Sequence, residues 1–334
     1  MSDFDVTQSS RAAETRDGWQ LELNCVRGKV RRAHPVVIVP GYAMNSTVLA
    51  YRPQGTSLVA ELIAAGYEVW CLNLRGSGRS RQLRSGAAPP SLAAYVREDL
   101  PAALDLVRSE ATVGRVDPFC IGASLGGAVV YSHLARTRGQ GIRGIVTLGA
   151  PLRWDAVPPI LRTAFRSRRL ARIVPMRGTG RLARLLMSSL ARIGLLGAYV
   201  NRQRLDPNHT QAIEETLEDP TPELNAEIAE WMRARDLYLD GTNVTRAMCA
   251  VETPLLVVLA NRDGVVPEPA VRSAAVAWGG DDVEVMQVGT DDDWFAHADL
   301  FAAIDAPQRV FAPIIRWLDD RDGGDPSASS EGRR

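Results

Sequence analysis

One stretch constrains the fold more than any other. Residues 115–135 read Arg-Val-Asp-Pro-Phe-Cys-Ile-Gly-Ala-Ser-Leu-Gly-Gly-Ala-Val-Val-Tyr-Ser-His-Leu-Ala. An apolar run from Pro118 to Ile121 leads into Gly122-Ala123-Ser124-Leu125-Gly126, and a helical Ala/Val/Leu-rich run from Gly127 to Ala135 leads out. Strand, tight turn and helix in that order predict a sharp corner with a strained Ser124 at its tip, its hydroxyl lifted clear of the sheet. Gly122 and Gly126 suit a corner where neighbouring backbone passes too close for a side chain. Taken alone, the pentapeptide also fits a Gly-rich turn with an incidental serine.

The flanking sequence gives that corner a sheet to belong to. Residues 17–26 alternate apolar and polar, as in an antiparallel edge strand covered on one face. Continuous apolar runs at 34–40, 67–73, 144–149 and 254–260 fit strands buried on both faces, and 283–288 adds a further strand. Helical stretches fall at about 56–65, 91–107, 268–277 and 307–318. Strands alternating with helices imply a mostly parallel sheet with helices on both faces and right-handed crossovers.

The alternation stops at Ala150-Pro151 and resumes near Thr253. The expected organisation is therefore an α/β core, residues 17–150 and 253–318, interrupted by a helical cap at 151–252. Polar tails at 1–16 and 319–334 are expected to be disordered.

Composition narrows the function classes. The 334 residues are 46% hydrophobic and 23% charged, and the formal net charge is zero, which points away from a nucleic-acid partner. Cys25, Cys71, Cys120 and Cys249 are far apart and lack metal-ligand spacing, so buried reduced thiols, no metal and no cofactor are expected. The N-terminus lacks an apolar signal core and no run spans a membrane, which predicts a cytoplasmic protein. The oligomeric state is not legible.

A serine hydroxyl needs a base within reach, and the base needs an orienting carboxylate. Four histidines are present. His34 precedes a strand at the wrong end, His133 lies too far along the helix after Ser124, and His209 sits in the cap. His297, after the last strand, falls on the edge where parallel strands deliver their loops. For the carboxylate, Asp263 follows the strand at 254–260, and Asp155, after 144–149, is the rival. Asp291 to Asp293 sit too close to His297 in sequence.

The order Ser124, Asp263, His297 resembles that of serine α/β-hydrolases of the esterase/lipase type. Further matching pieces are Val39-Pro40-Gly41-Tyr42, Asn73-Leu74-Arg75-Gly76-Ser77-Gly78-Arg79-Ser80 and Arg262-Asp263-Gly264-Val265-Val266-Pro267. The resemblance covers nearly all of 17–318. It implies a small-molecule ester or acyl substrate, an acyl-enzyme on Ser124, and an oxyanion hole from the backbone N–H groups of Tyr42 and Leu125. Pro40-Gly41 stands where many relatives have His-Gly, which matters little to a backbone donor. The Tyr42 side chain either lines the pocket or packs under the cap, and Arg75 holds its loop. An acyltransferase or thioesterase using the same three residues, and a non-catalytic binding protein of this fold, are the alternatives.

The cap is segregated by charge. Residues 156–205 hold eleven arginines (162, 166, 168, 169, 172, 177, 181, 184, 192, 202 and 204) and no acid, whereas 206–232 are rich in glutamate. One reading is a solvated arginine face with an apolar face over the site. The sharper reading is weak contact with an anionic membrane surface, or an acyl substrate with an anionic head.

Overall fold

A computed structural model describes residues 6–50, 56–114, 116–173, 195–204, 216 and 218–323. Its strands are β1 (Thr7–Glu14), β2 (Trp19–Arg27), β3 (Val36–Val39), β4 (Val69–Leu72), β5 (Arg81–Gln82), β6 (Phe119–Ala123), β7 (Gly144–Leu148), β8 (Tyr238–Leu239), β9 (Thr242–Asn243), β10 (Leu255–Ala260) and β11 (Val283–Val288). The main sheet runs β1-β2-β4-β3-β6-β7-β10-β11, with β5 paired to β2. Pairing is parallel from β4 through β11. It is antiparallel where β2 meets β1, β4 and β5.

The helices are α1 (Leu58–Ala64), α2 (Leu92–Ala94), α3 (Leu100–Glu110), α4 (Leu125–Thr137), α5 (Pro159–Ala164), α6 (Arg168–Ile173), α7 (Pro222–Ala234), α8 (Val244–Ala247), α9 (Glu268–Ala277), α10 (Asp299–Ala302) and α11 (Ala312–Asp319). The buried strands split their side chains between two cores, as the two-residue period requires. Val37, Trp70, Cys120, Ile145 and Val257 face α3, α4, α7 and α9. Val36, Ile38, Val69, Cys71, Ile121, Val146 and Val258 face α1, α10 and α11. Each fully buried Val, Leu or Ile contributes roughly 1.5–3 kcal/mol, so both faces are firmly covered. The parallel sheet is thus a rigid frame whose strand ends carry the loops described below.

Two expectations need correction at the chain ends. Residues Thr7–Glu14, expected within a disordered tail, form a full strand paired residue by residue with β2, from Thr7 opposite Arg27 to Glu14 opposite Gln20. Ala13 is its one buried side chain, so the ladder rather than burial holds it, and hydropathy gave no signal. At the other end, order continues past 318. The Asp319 carboxylate accepts from the Tyr67 hydroxyl at 2.8 Å and Arg32 at 2.6 Å, and Asp322 accepts from the backbone N–H groups of Ala33 and His34 at 2.8 and 2.9 Å. Residues 1–5 and 324–334 lie outside the described residues.

Between β7 and β10 the chain leaves the sheet for α5, α6, α7 and α8. Among the described residues of this segment one two-residue hairpin, β8–β9, accompanies the helices, where no strand was expected. Much of the arginine series (177, 181, 184 and 192), with His209, lies outside the described residues. Cys25, Cys71 and Cys120 are buried free thiols, and Cys249 is exposed. Burial pushes the Cys25 thiol up to about 11 and those of Cys71 and Cys120 up to about 12. Among the described residues no helix is long and apolar enough to cross a membrane.

His133, on α4, is 6% exposed, and its ordinary value is pushed down to about 4 by burial and then by the charges of Arg108 and Arg136. The folded protein therefore binds fewer protons here than the unfolded chain between about pH 6.5 and pH 4. Stability is expected to fall as pH drops through that window, by at most about 3 kcal/mol from this group. A His133→Gln variant that melts with the same pH slope as the wild type, measured in chemical denaturation from pH 4 to 7, would refute this.

Candidate active site

The corner after β6 has the expected geometry. Ser124 adopts φ 50° and ψ −118°, outside the regions comfortable for a side-chain-bearing residue. Its own N–H donates to the Leu148 carbonyl at 2.8 Å, which ties the tip of the corner to the end of β7. The strain persists because the surroundings leave no alternative. A methyl on Gly126 would fall on the carbonyl oxygens of Val39 and Pro40, and one on Gly41 would stand 3.2 Å from the Ser124 Cβ. Strand β3, the corner and α4 are therefore packed backbone to backbone, and the serine is lifted out between them.

The loops after β10 and β11 meet. His297 and Asp263 are buried, and the imidazole Nδ1 lies 2.6 Å from Asp263 Oδ2. The other carboxylate oxygen, Oδ1, accepts from the backbone N–H groups of Val265 and Val266 at 2.8 Å each. Those two donors fix the orientation of the carboxylate. A carboxylate at Oδ2 makes Nδ1–H the donor, which leaves Nε2 as the free, basic nitrogen. Asp155 is elsewhere, exposed and 3.2 Å from Arg153. Asp293 is likewise committed, to Arg204 and Arg309.

Gly149 connects the serine to this pair. It follows Leu148, the residue bonded to Ser124, and donates to the Val258 carbonyl at 2.9 Å. An added Cβ there would be 2.9 Å from His297 Cε1 and 3.3 Å from Asp263 Oδ2, at φ 58°. The imidazole thus lies over the backbone of the strand end that also holds Ser124. Among the described residues no hydrogen bond joins the serine hydroxyl to the imidazole. Such bonds are often long without substrate and tighten when it binds.

Tyr42, Leu125 and Gly41 line a single narrow cleft with a cavity volume of about 20 Å³, closed over by Pro220, Thr221 and Leu224. That is room for about one water molecule. Neither backbone N–H, of Tyr42 or of Leu125, donates to a described residue; Leu125 opens α4, where such donors are left over. The Tyr42 hydroxyl donates to Asn225 Oδ1 at 2.5 Å, so the side chain packs under α7. Burial raises its titration well above the ordinary range. Arg75 is fully buried between Asp17 and Asp99, at 2.7 Å from each, and holds its loop.

Sequence reasoning missed how the His297 imidazole is held. Residues 198–204, from the insertion, wrap both loops. Gly264 N–H donates to the Ala198 carbonyl at 2.9 Å and Ala298 N–H to the Tyr199 carbonyl at 2.8 Å. The Tyr199 ring lies 5.9 Å from the imidazole, tilted by 37°. Asn201 Nδ2 donates to the Trp294 carbonyl at 3.0 Å, and the buried Asp299 carboxylate accepts from Ala296 N–H at 2.7 Å and Asn201 N–H at 3.0 Å. Most of these are backbone contacts, and they leave no signature in residue type. Among the described residues, no group of three or more His, Cys, Asp or Glu side chains could hold a metal ion.

Sheet order, corner and loop placement define an α/β-hydrolase fold. The chain belongs to the family described as serine aminopeptidase, S33, whose model matches residues 31–287. No curated protein sequence matches it. Solved structures share the fold at low identity. A thermophilic esterase from Thermogutta terrifontis is 18% identical, covering 94% of this chain and 99% of its own, with a TM-score of 0.64. An esterase from Rhodococcus sp. ECU1013 is 19% identical over 94% and 99%, at 0.63. A monoacylglycerol lipase from Paleococcus ferrophilus is 17% identical over 94% and 99%, at 0.57.

Gly149 offers a selective test. Alanine there meets both a positive φ and the imidazole, and the imidazole is the movable partner. Gly149→Ala is expected to lower esterase kcat by about 10²-fold through misplacement of the base, with a modest loss of Tm. Retention of full kcat in a folded variant would show that the imidazole does not need this seat.

Proposed function

We propose that this protein hydrolyses carboxylic esters with an apolar acyl group through an acyl-enzyme on Ser124. The observation that carries the reading is the shared strand end: Ser124 is bonded to Leu148, and the buried His297–Asp263 pair lies over the adjacent Gly149.

Ser124 Oγ attacks the ester carbonyl while His297 Nε2 takes its proton. Asp263 keeps Nε2 basic and stabilises the imidazolium. The carbonyl oxygen, now negative, is met by the N–H groups of Tyr42 and Leu125, and losing one such donor typically costs about 10²–10³ in rate. The alcohol leaves with the proton from His297. Water then attacks the acyl-enzyme, giving its proton to Nε2, and the free acid departs as Ser124 recovers its own.

Glu218 lines the cleft together with Asp219, and its Oε1 accepts from Gly78 N–H at 2.9 Å and Asn45 Nδ2 at 3.1 Å. It braces the loop after β4.

With p-nitrophenyl esters of graded chain length, the wild type is expected to show a burst of one nitrophenolate per chain. Ser124→Ala is expected to lose at least about 10⁴-fold in kcat, and Asp263→Asn about as much. An undiminished rate in Ser124→Ala ends the proposal. Product analysis with a competing alcohol separates hydrolysis from acyl transfer.

A further inference from the structure

The insertion carries a hollow that ester hydrolysis does not use. It opens where the chain leaves β7, has a volume of about 530 Å³, and is lined by Trp154, Val157, Phe165 and Met232 on its apolar side. Arg162, Arg166, Arg233 and Arg235, all exposed, line the same hollow together with one acid, Asp155. Among the described residues none of these four guanidinium groups makes a hydrogen bond or ion pair. The acids at hand are engaged by other arginines. Asp155 and Asp236 lie 3.2 and 3.5 Å from Arg153, and Glu230 lies 3.2 Å from Arg168.

The hollow is also built rather than incidental. Trp154 is 4% exposed and packs edge-on against Trp231, with ring centroids 5.7 Å apart. The backbone N–H of Trp154 donates to the Arg235 carbonyl at 2.9 Å, and Arg235 itself sits at φ 67°. Ile160 on α5 is 64% exposed and Leu170 on α6 is 40% exposed. Four guanidinium groups without a partner among the described residues, beside an aromatic and aliphatic wall, suit one kind of ligand. A bare anion would leave the wall unused, and an uncharged chain would leave the guanidinium groups to water.

We propose that this hollow binds an amphiphilic oxyanion, a carboxylate or phosphate head on an aliphatic chain. The head meets Arg162, Arg166 and Arg233, and the chain runs along Trp154 and Phe165 toward the exposed leucine and isoleucine. Two sources share this chemistry: the fatty carboxylate that the proposed hydrolysis would release, and the head of an anionic lipid. The site does not need Ser124, so its test is separable from that of the ester reaction.

The test is calorimetric titration of full-length Ser124→Ala protein with monomeric dodecanoate and dodecyl phosphate, against neutral dodecyl maltoside. Both anions are expected to bind, more weakly at high salt, while the maltoside binds far less. Arg162→Gln/Arg166→Gln is expected to weaken anion binding by about tenfold or more. Arg233→Gln, on a different helix, serves if the double variant fails to melt as a folded protein. Equal affinity in a folded variant, equal binding of the maltoside, or no binding at all overturns the proposal. Co-sedimentation assigns the source: capture by phosphatidylglycerol vesicles but not by phosphatidylcholine supports the lipid head, and dodecanoate binding without capture supports the free carboxylate.

Discussion

The hydrogen bond from Ser124 N–H to the Leu148 carbonyl, 2.8 Å long, fixes where everything else must be. It is formed by a residue held at φ 50°, a conformation that costs on the order of 1–3 kcal/mol. The cost is met by close packing of β3, β6, β7 and α4, in which Gly122 and Gly126 give way to neighbouring backbone. Relaxing the corner would need either the strands to part or α4 to retreat, and both would open a core of fully buried aliphatic side chains. Rigidity at the serine is thus a property of the sheet rather than of the loop.

The His297–Asp263 pair is organised differently. It hangs from two loops, and loops are the least constrained parts of such a fold. Its order comes from outside the sheet: Ala198, Tyr199 and Asn201 reach in from the insertion and bond to Gly264, Ala298 and the loop around Trp294. Arg204 completes the arrangement. It is 9% exposed, lies over the Phe295 ring at 4.0 Å, donates to the Trp294 carbonyl at 3.0 Å and pairs with Asp293 and Asp305. The core therefore positions the serine, and the insertion helps to position the imidazole.

This division explains what the sequence discloses. The buried strands were legible because hydrophobic runs and burial are the same physical fact; Phe119–Ala123 and Leu255–Ala260 fall where their composition puts them. So did the corner at Ser124, since only glycine fits its close approaches. Strand β1 was not legible: its residues are polar, and it is held by backbone bonds to β2 that any side chain permits. The choice between Asp263 and Asp155 stayed open for a related reason. Both follow buried strands, and only the three-dimensional course of the loops puts Asp263 at 2.6 Å from the imidazole and Asp155 on a surface arginine.

Charge segregation in the insertion has the same origin. An arginine-rich segment followed by an acidic one would be expected to neutralise itself on folding, and a single pair between them, Arg168 with Glu230, does so among the described residues. Glu227 on α7 turns toward the sheet domain instead: it accepts from Leu92 N–H at 2.5 Å, capping the start of α2, as the carboxylate of Glu218 braces the loop after β4. Acids spent on backbone N–H groups cannot also neutralise guanidinium groups. Among the described residues the arginines around the hollow make no ion pair, while Glu218 and Glu227 are spent on attaching the insertion to the sheet domain.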